Sequence, residues 1–137
     1  MKTLFDTQVL KMKMKMKMKS KYTFKRKHDF NQRLNESRRI VSKYPDRVPI
    51  ICQRSGDNLP EMDKHKFLVP CELTMGQFIY VIRKRMKLNP EIGVFCSVGE
   101  NHIMPNNTLP ISSCLQSYAD EDGFLYVTYS GENTFGR

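Results

Sequence analysis

Four cysteines and three histidines are the residues of this 137-residue chain that would most readily supply a nucleophile, a base or a soft metal ligand. Cys52, Cys71, Cys96 and Cys114 stand 19, 25 and 18 positions apart, with no C-x-x-C pair and no histidine at ligand spacing. They read as small apolar fillers, and neither a metal nor a cofactor is expected. A cysteine enzyme would need one of them paired with His28, His65 or His102, and no signature of such a nucleophile surrounds any of the four. No catalytic residue is therefore expected. A different chemistry is offered between Lys64 and Pro70, where Lys64, Lys66 and Leu68 alternate with His65, Phe67 and Val69. That period of two belongs to a pleated strand. Lysines beside apolar neighbours suit a strand edge to which an extended peptide adds, its backbone giving affinity and side-chain pockets giving choice. They equally suit an edge guarded against aggregation.

The elements that must hold this edge follow from the same stretch. Pro70 is expected to end the strand, because it lacks an N–H and biases Val69 away from helical angles. Thr74 offers a hydroxyl cap, and Met75, Phe78, Ile79, Ile82 and Met86 recur at helical spacing, with Gln77, Lys84 and Lys87 opposite. Asn89-Pro90 is expected to stop that helix. Upstream, Asp29 can cap a helix from Phe30, on which Phe30, Leu34, Ser37, Val41 and Tyr44 form one stripe while Arg33, Arg38 and Lys43 stay out. Tyr44 to Pro49 reads as a turn, Ile50 to Cys52 as a short buried strand, and Ser55 to Asn58 as the turn of an antiparallel hairpin with the Lys66 strand. Val94 to Val98 reads as a third strand, Ser112 to Ala119 as a short helix, and Phe124 to Tyr129 as the strongest strand.

The formal charge of +9 is unevenly spread. Residues 1–29 carry ten Lys or Arg against Asp6 and Asp29, whereas residues 30–137 are nearly balanced at +1. Basic character therefore belongs to an N-terminal arm, and no specific nucleic-acid partner is expected for the globular part. Within the arm, lysine alternates with Met12, Met14, Met16 and Met18. Period two scatters methionines around a helix, and a lone strand has nothing to pair with, so residues 1–20 are expected to be a disordered tail and residues 21–137 one domain. An inert insertion, an anionic-membrane contact and a nucleic-acid contact all fit the tail. Absence of an apolar leader or span, and cysteines without a framework, point to a reduced cytosolic protein.

The words KYPDRVPII (Lys43 to Ile51), DKHKFLVP (Asp63 to Pro70), LTMGQFIYVIRKRMKL (Leu73 to Leu88), FLYVTYS (Phe124 to Ser130) and the terminal Phe135-Gly136 occur in an order that closely resembles the autophagy ubiquitin-like modifiers, the GABARAP and light-chain family. The resemblance runs from about Tyr22 to Arg137. It implies an α+β fold, the ubiquitin-like β-grasp with two additional N-terminal helices. It also implies a modifier, not an enzyme: a cysteine protease removes Arg137, activating and conjugating enzymes pass Gly136 onward, and phosphatidylethanolamine on the autophagosomal membrane accepts it. A glycine, having no side chain, threads narrow active sites most easily.

The same resemblance implies docking of short linear motifs from cargo receptors, with an aromatic and an aliphatic anchor. The aromatic pocket would be Glu36, Ile40, Pro49, Lys66, Leu68 and Phe124. The aliphatic pocket would be Phe67, Val69, Pro70, Leu73, Phe78 and Val81. Arg47, Lys64 and Arg85 would draw acidic flanks, chiefly through on-rate. Affinity of about 8 kcal/mol, near micromolar, is expected. The chain departs from the family at Gly123-Phe124, where consecutive aromatics are usual, at Cys96-Ser97, and in a longer Gly99 to Asn107 turn. The rival reading is a β-grasp scaffold that binds motif peptides and is never conjugated.

Overall fold

The computed structural model describes residues 23–132. The Lys/Met tail, Gly136 and Arg137 lie outside the described residues. In order come α1 (Thr23–Lys27), α2 (Phe30–Lys43), β1 (Arg47–Arg54), β2 (Lys66–Pro70), α3 (Met75–Met86), β3 (Phe95–Val98), α4 (Ile111–Tyr118) and β4 (Leu125–Ser130). The four strands form one mixed sheet in the order β2-β1-β4-β3. β1 runs antiparallel to β2 and parallel to β4, and β3 is antiparallel to β4. This is the β-grasp arrangement, with α1 and α2 placed ahead of it.

Both longer helices start where the sequence places a cap. Asp29 accepts from the Gln32 amide at 2.8 Å while the Gln32 side chain accepts from the Asp29 amide at 3.0 Å. Thr74 and Gln77 repeat that reciprocal pair at 3.2 and 2.9 Å. Each box satisfies two otherwise orphaned donors, and losing its cap costs about 1 kcal/mol. α3 ends at Met86, ahead of the expected Asn89-Pro90 stop, because Lys87 turns left-handed at φ 54°. The Arg83 guanidinium then holds the exit loop through the carbonyls of Asn89, Pro90 and Ile92.

Two prolines bear on the strand limits. Pro70 is the last residue of β2, so the strand ends where expected. Cys52 N–H bonds His65 O at 2.7 Å and Cys71 N–H bonds Asp46 O at 3.0 Å. In an antiparallel ladder bonding alternates, so Phe67 and Val69 also face β1 while the Pro70 nitrogen faces the open edge, where its missing N–H costs nothing. β1 begins at Arg47, which leaves only the residues before it as turn. Pro49 is admitted because pairing with β4 starts one residue later, at Ile50↔Leu125.

The sheet has two different faces. Val48, Ile50, Cys52, Phe67, Val69, Leu125, Val127 and Tyr129 pack with Met75, Phe78 and Ile82 of α3 and with Ile111 and Cys114 of α4 in the main core. On the other face Ile51, Phe124 and Tyr126 form a smaller cluster with Ile40 of α2, joined by Phe24 of α1 and by Leu68. The stripe expected on α2 is turned. Arg33, Ser37 and Ile40 are its buried residues, while Phe30, Val41 and Tyr44 are exposed. At 100° per residue the buried face is rotated by roughly 60° from the apolar stripe.

Candidate docking edge and the family it belongs to

β2 is a terminal strand of the sheet, so one side of its backbone has no neighbour among the described residues. The alternation that turns His65, Phe67, Val69 and Cys71 toward β1 leaves the N–H and C=O of Lys66 and Leu68 facing outward. Their side chains point to the α1–α2 face. There Lys66 forms an ion pair with Glu36 of α2, and its ammonium lies 5.5 Å from the centre of the Phe24 ring. Leu68 pairs in register with Pro49 and packs on the cluster that contains Ile40 and Phe124. All six residues named for the aromatic pocket are thus brought together. Ile40, Pro49 and Phe124 are buried, and Lys66 and Leu68 are half-buried.

On the opposite face Phe67 and Phe78 meet edge to face with centroids 5.6 Å apart, and Val69 is buried in the same core. Leu73 packs partly buried against them, Pro70 is half-buried, and Val81 is exposed on α3. The aliphatic set is therefore a buried floor of Phe67, Val69 and Phe78 with a more open rim. Of the cations, Lys64 and Arg85 both lie over the Phe67 ring, at 5.1 and 5.9 Å. Arg85 is also tied to Asp63 at 3.0 Å, so an acidic ligand would have to compete with that carboxylate. Arg47 is exposed at the start of β1, opposite Pro70. The neighbouring Cys71 thiol donates to Glu72 at 3.1 Å, which with backbone bonding and Arg47 holds that carboxyl below its ordinary range.

Behind the aromatic pocket lies a polar network that periodicity does not reveal. Arg33, expected outside, is buried and donates to Asp122 Oδ2 at 2.8 Å. The Tyr126 hydroxyl donates to the same oxygen at 2.6 Å, and the Phe124 amide donates to Asp122 Oδ1 at 2.9 Å. Ser37 closes the network on the Asp122 carbonyl. Burial raises the Asp122 carboxyl above its ordinary range, with the Tyr126 and Phe124 bonds and Arg33 pulling the other way. Burial and the Asp122 bond push the Tyr126 phenol far up, so it stays a neutral donor. The network fixes the turn from which Phe124 enters the pocket floor. A sequence signal exists only in hindsight: an aspartate three residues before a strand can cap its own turn, but its partner Arg33 is 89 residues away.

The thiols offer little nucleophilic character. Burial pushes Cys96 up to about 12 and raises Cys52 and Cys114, while its bond to Glu72 raises Cys71. His65 Nδ1 meets the Cys52 carbonyl at 3.2 Å, and His102 Nδ1 meets the buried Ser97 hydroxyl at 3.0 Å. Among the described residues no group of three His, Cys, Asp or Glu side chains could hold a metal ion, and no helix is long and apolar enough to cross a membrane.

Comparison with known proteins agrees with this frame. Residues 32–136 match the family model for autophagy protein Atg8, ubiquitin like. Autophagy-related protein 8 of Mycosarcoma maydis is 51% identical over 115 residues, which span 83% of this chain and 96% of that protein. The protein of the same name from Saccharomyces cerevisiae is 50% identical over 116 residues, 84% of this chain and 97% of its own. That of Emericella nidulans is 51% identical over 114 residues, covering 82% and 95%. With the β-grasp sheet, the two added helices and these matches in agreement, the chain belongs to the Atg8 family of ubiquitin-like autophagy proteins.

Proposed function

We propose that this chain is a ubiquitin-like modifier that docks short linear motifs at its β2 edge and is conjugated through Gly136 to phosphatidylethanolamine. The observation that carries the docking half is the open edge itself. Lys66 and Leu68 present outward backbone groups between a pocket floored by Ile40, Pro49 and Phe124 and another floored by Phe67, Val69 and Phe78. A ligand strand would gain hydrogen bonds from two residues and place alternate side chains in the two pockets. Arg47, Lys64 and Arg85 would favour acidic flanks and make the on-rate fall with salt. Cargo receptors and other autophagy factors with an aromatic and an aliphatic anchor are the partners that fit.

The conjugation half is supported by family membership, the family match extending to Gly136 in Phe135-Gly136-Arg137. A cysteine protease would remove Arg137, activating and conjugating enzymes would carry Gly136 as a thioester, and the amine of phosphatidylethanolamine would take it. Two acyl chains hold a protein on a bilayer firmly where one is marginal. The chain would thereby move from the cytoplasm to the autophagosomal membrane, acting as an adaptor and catalysing nothing itself.

Docking is tested by titrating a motif peptide into the full chain and its Leu68→Ala and Lys66→Glu variants. Near-micromolar binding that falls about tenfold or more in each supports the edge; unchanged binding in both removes it. Conjugation is tested by intact mass from membranes of starved cells expressing the chain or its Gly136→Ala variant. A phospholipid adduct lacking Arg137 and absent from the variant is expected. Full-length unmodified protein in both would leave a peptide-binding scaffold that is never conjugated.

A further inference from the structure

Between the end of α4, the turn after β3 and the first turn of α2 lies a cavity of about 450 Å³. Its aromatic lining includes Phe30, which is 41% exposed, and the half-buried Tyr118. Its charged lining is Glu100, Asp120 and Glu121 against Lys25 and Arg33. Lys25 is paired with Glu100 and Asp120, and Arg33 is matched by the buried Asp122. With Asp122 counted, four acids stand against two bases. The end of α4 adds the same sign: it stops at Tyr118 with no basic residue in its last turn, and the C-terminal end of a helix carries partial negative charge. Such a cavity suits an occupant that is cationic and also carries apolar side chains for the rings.

The chain itself supplies one. Residues 11–19 alternate five lysines with Met12, Met14, Met16 and Met18. An extended segment turns alternate side chains to opposite sides, so methionines and lysines separate onto two faces. Methionine is pliable, and its sulfur makes favourable contacts with aromatic rings. The tether is short: Lys19 precedes Thr23, the first described residue, by four positions, and Lys25 lines the cavity. At the span of an extended chain, those four residues reach at most roughly 14 Å, and the twelve from Lys11 roughly 40 Å. We propose that this Lys/Met arm docks on its own domain, its methionines against Phe30 and Tyr118 and its lysines against Glu100, Asp120 and Glu121.

Charge also decides which flank of α1 the arm takes. A second cavity beside α1 is lined by Lys27, Arg54, His28 and His65 with Glu61 as its one acid, so it repels lysines. The acidic cavity shares no lining residue with either motif pocket of the β2 edge. A docked arm therefore leaves motif binding open, and its attachment at Thr23 keeps its effective concentration high without any new partner.

The experiment is carbodiimide cross-linking of the full chain, as a dilute mixture of unlabelled and isotope-labelled protein, mapped by mass spectrometry. Each amide formed records a lysine in contact with a carboxylate. Links from Lys11, Lys13, Lys15, Lys17 and Lys19 are expected to concentrate, within one chain, on Glu100, Asp120 and Glu121 over the exposed Asp57 and Glu91, which lie outside the cavity lining. Glu121→Lys should cut the links to Glu100 and Asp120 several-fold. Changing Met12, Met14, Met16 and Met18 together to serine, which keeps every lysine, should do the same. Glu121 is exposed and the four methionines precede the described residues, so both variants are expected to keep the parent melting temperature. Links spread evenly over Asp57, Glu91 and the cavity acids would overturn the proposal. Links undiminished in the serine variant would also overturn it, leaving only diffuse charge attraction. Links that join labelled to unlabelled chains would overturn docking on the same domain and assign the arm to a second copy.

Discussion

The two faces of the sheet are built on different physics. The face under α3 and α4 is dry: Met75, Phe78, Ile82, Ile111 and Cys114 meet Ile50, Cys52, Leu125 and Val127, all of them almost wholly inaccessible to water. The face under α1 and α2 has a smaller apolar cluster, and beside it a buried ion pair, a tyrosine hydroxyl and two buried polar atoms with no hydrogen-bond partner among the described residues, Gln53 Oε1 and Thr128 Oγ1. Large apolar area fixes the fold on the first face. On the second, directional bonds hold α2 in one orientation. The β2 edge borders both faces, with Lys66 and Leu68 turned to the second and Phe67 and Val69 to the first.

Variants should separate the two faces, beginning with the dry one. Phe78→Ala removes a fully buried ring that meets Phe67 edge to face, and is expected to cost about 3 to 5 kcal/mol in chemical denaturation. A loss below 1 kcal/mol would mean that the core collapses around the gap. On the polar face Asp122→Ala strands Arg33 and the Tyr126 hydroxyl without their acceptor, and is expected to cost about 3 kcal/mol. Because the same carboxylate holds the Phe124 amide, this variant should also weaken motif binding, whereas a surface change such as Glu91→Ala should leave binding intact.

The pH dependence carries a sign. The folded Asp122 carboxyl sits above the ordinary aspartate value of 3.8, so it binds its proton more readily folded than unfolded. Its contribution to stability is complete below that value and is lost as pH rises through the folded pKa. The melting-temperature advantage of the parent over Asp122→Asn should therefore shrink as pH is raised above that value. An advantage that grows as pH rises would mean that Arg33 outweighs burial. The smallest effect is expected at Thr128, the register neighbour of Gln53. Thr128→Val removes an unsatisfied hydroxyl and is expected to be neutral or to stabilise by up to about 1 kcal/mol. Clear destabilisation would show that the hydroxyl has a partner in solution.

How much of this was legible in the sequence depended on how far each decisive contact reached. The two capping boxes are local, so Asp29 and Thr74 announced the starts of α2 and α3. The strand and helix order was legible from periodicity, and the words around Lys66 and Phe124 led to the family. The end of β2 at Pro70 was legible, and the start of β1 at Arg47 was not. Whether Pro49 or Pro70 breaks a ladder depends on which side its nitrogen faces, and that is a property of the sheet. The α2 rotation was hidden for a similar reason: an arginine reads as solvent-facing until Asp122, far along the chain, takes its charge. The exposed Phe30 and Val41 are what remains when a salt bridge, and not the apolar stripe, orients a helix.

Amide hydrogen exchange along β2, with and without an aromatic–aliphatic motif peptide, tests the docking edge most directly. The account predicts that the Lys66 and Leu68 amides, which face outward, gain protection on binding, while the Phe67 and Val69 amides, already turned to β1, change little. Saturating peptide that leaves Lys66 and Leu68 exchanging as in the free chain would contradict it, and would mean that the motif is held without adding a strand.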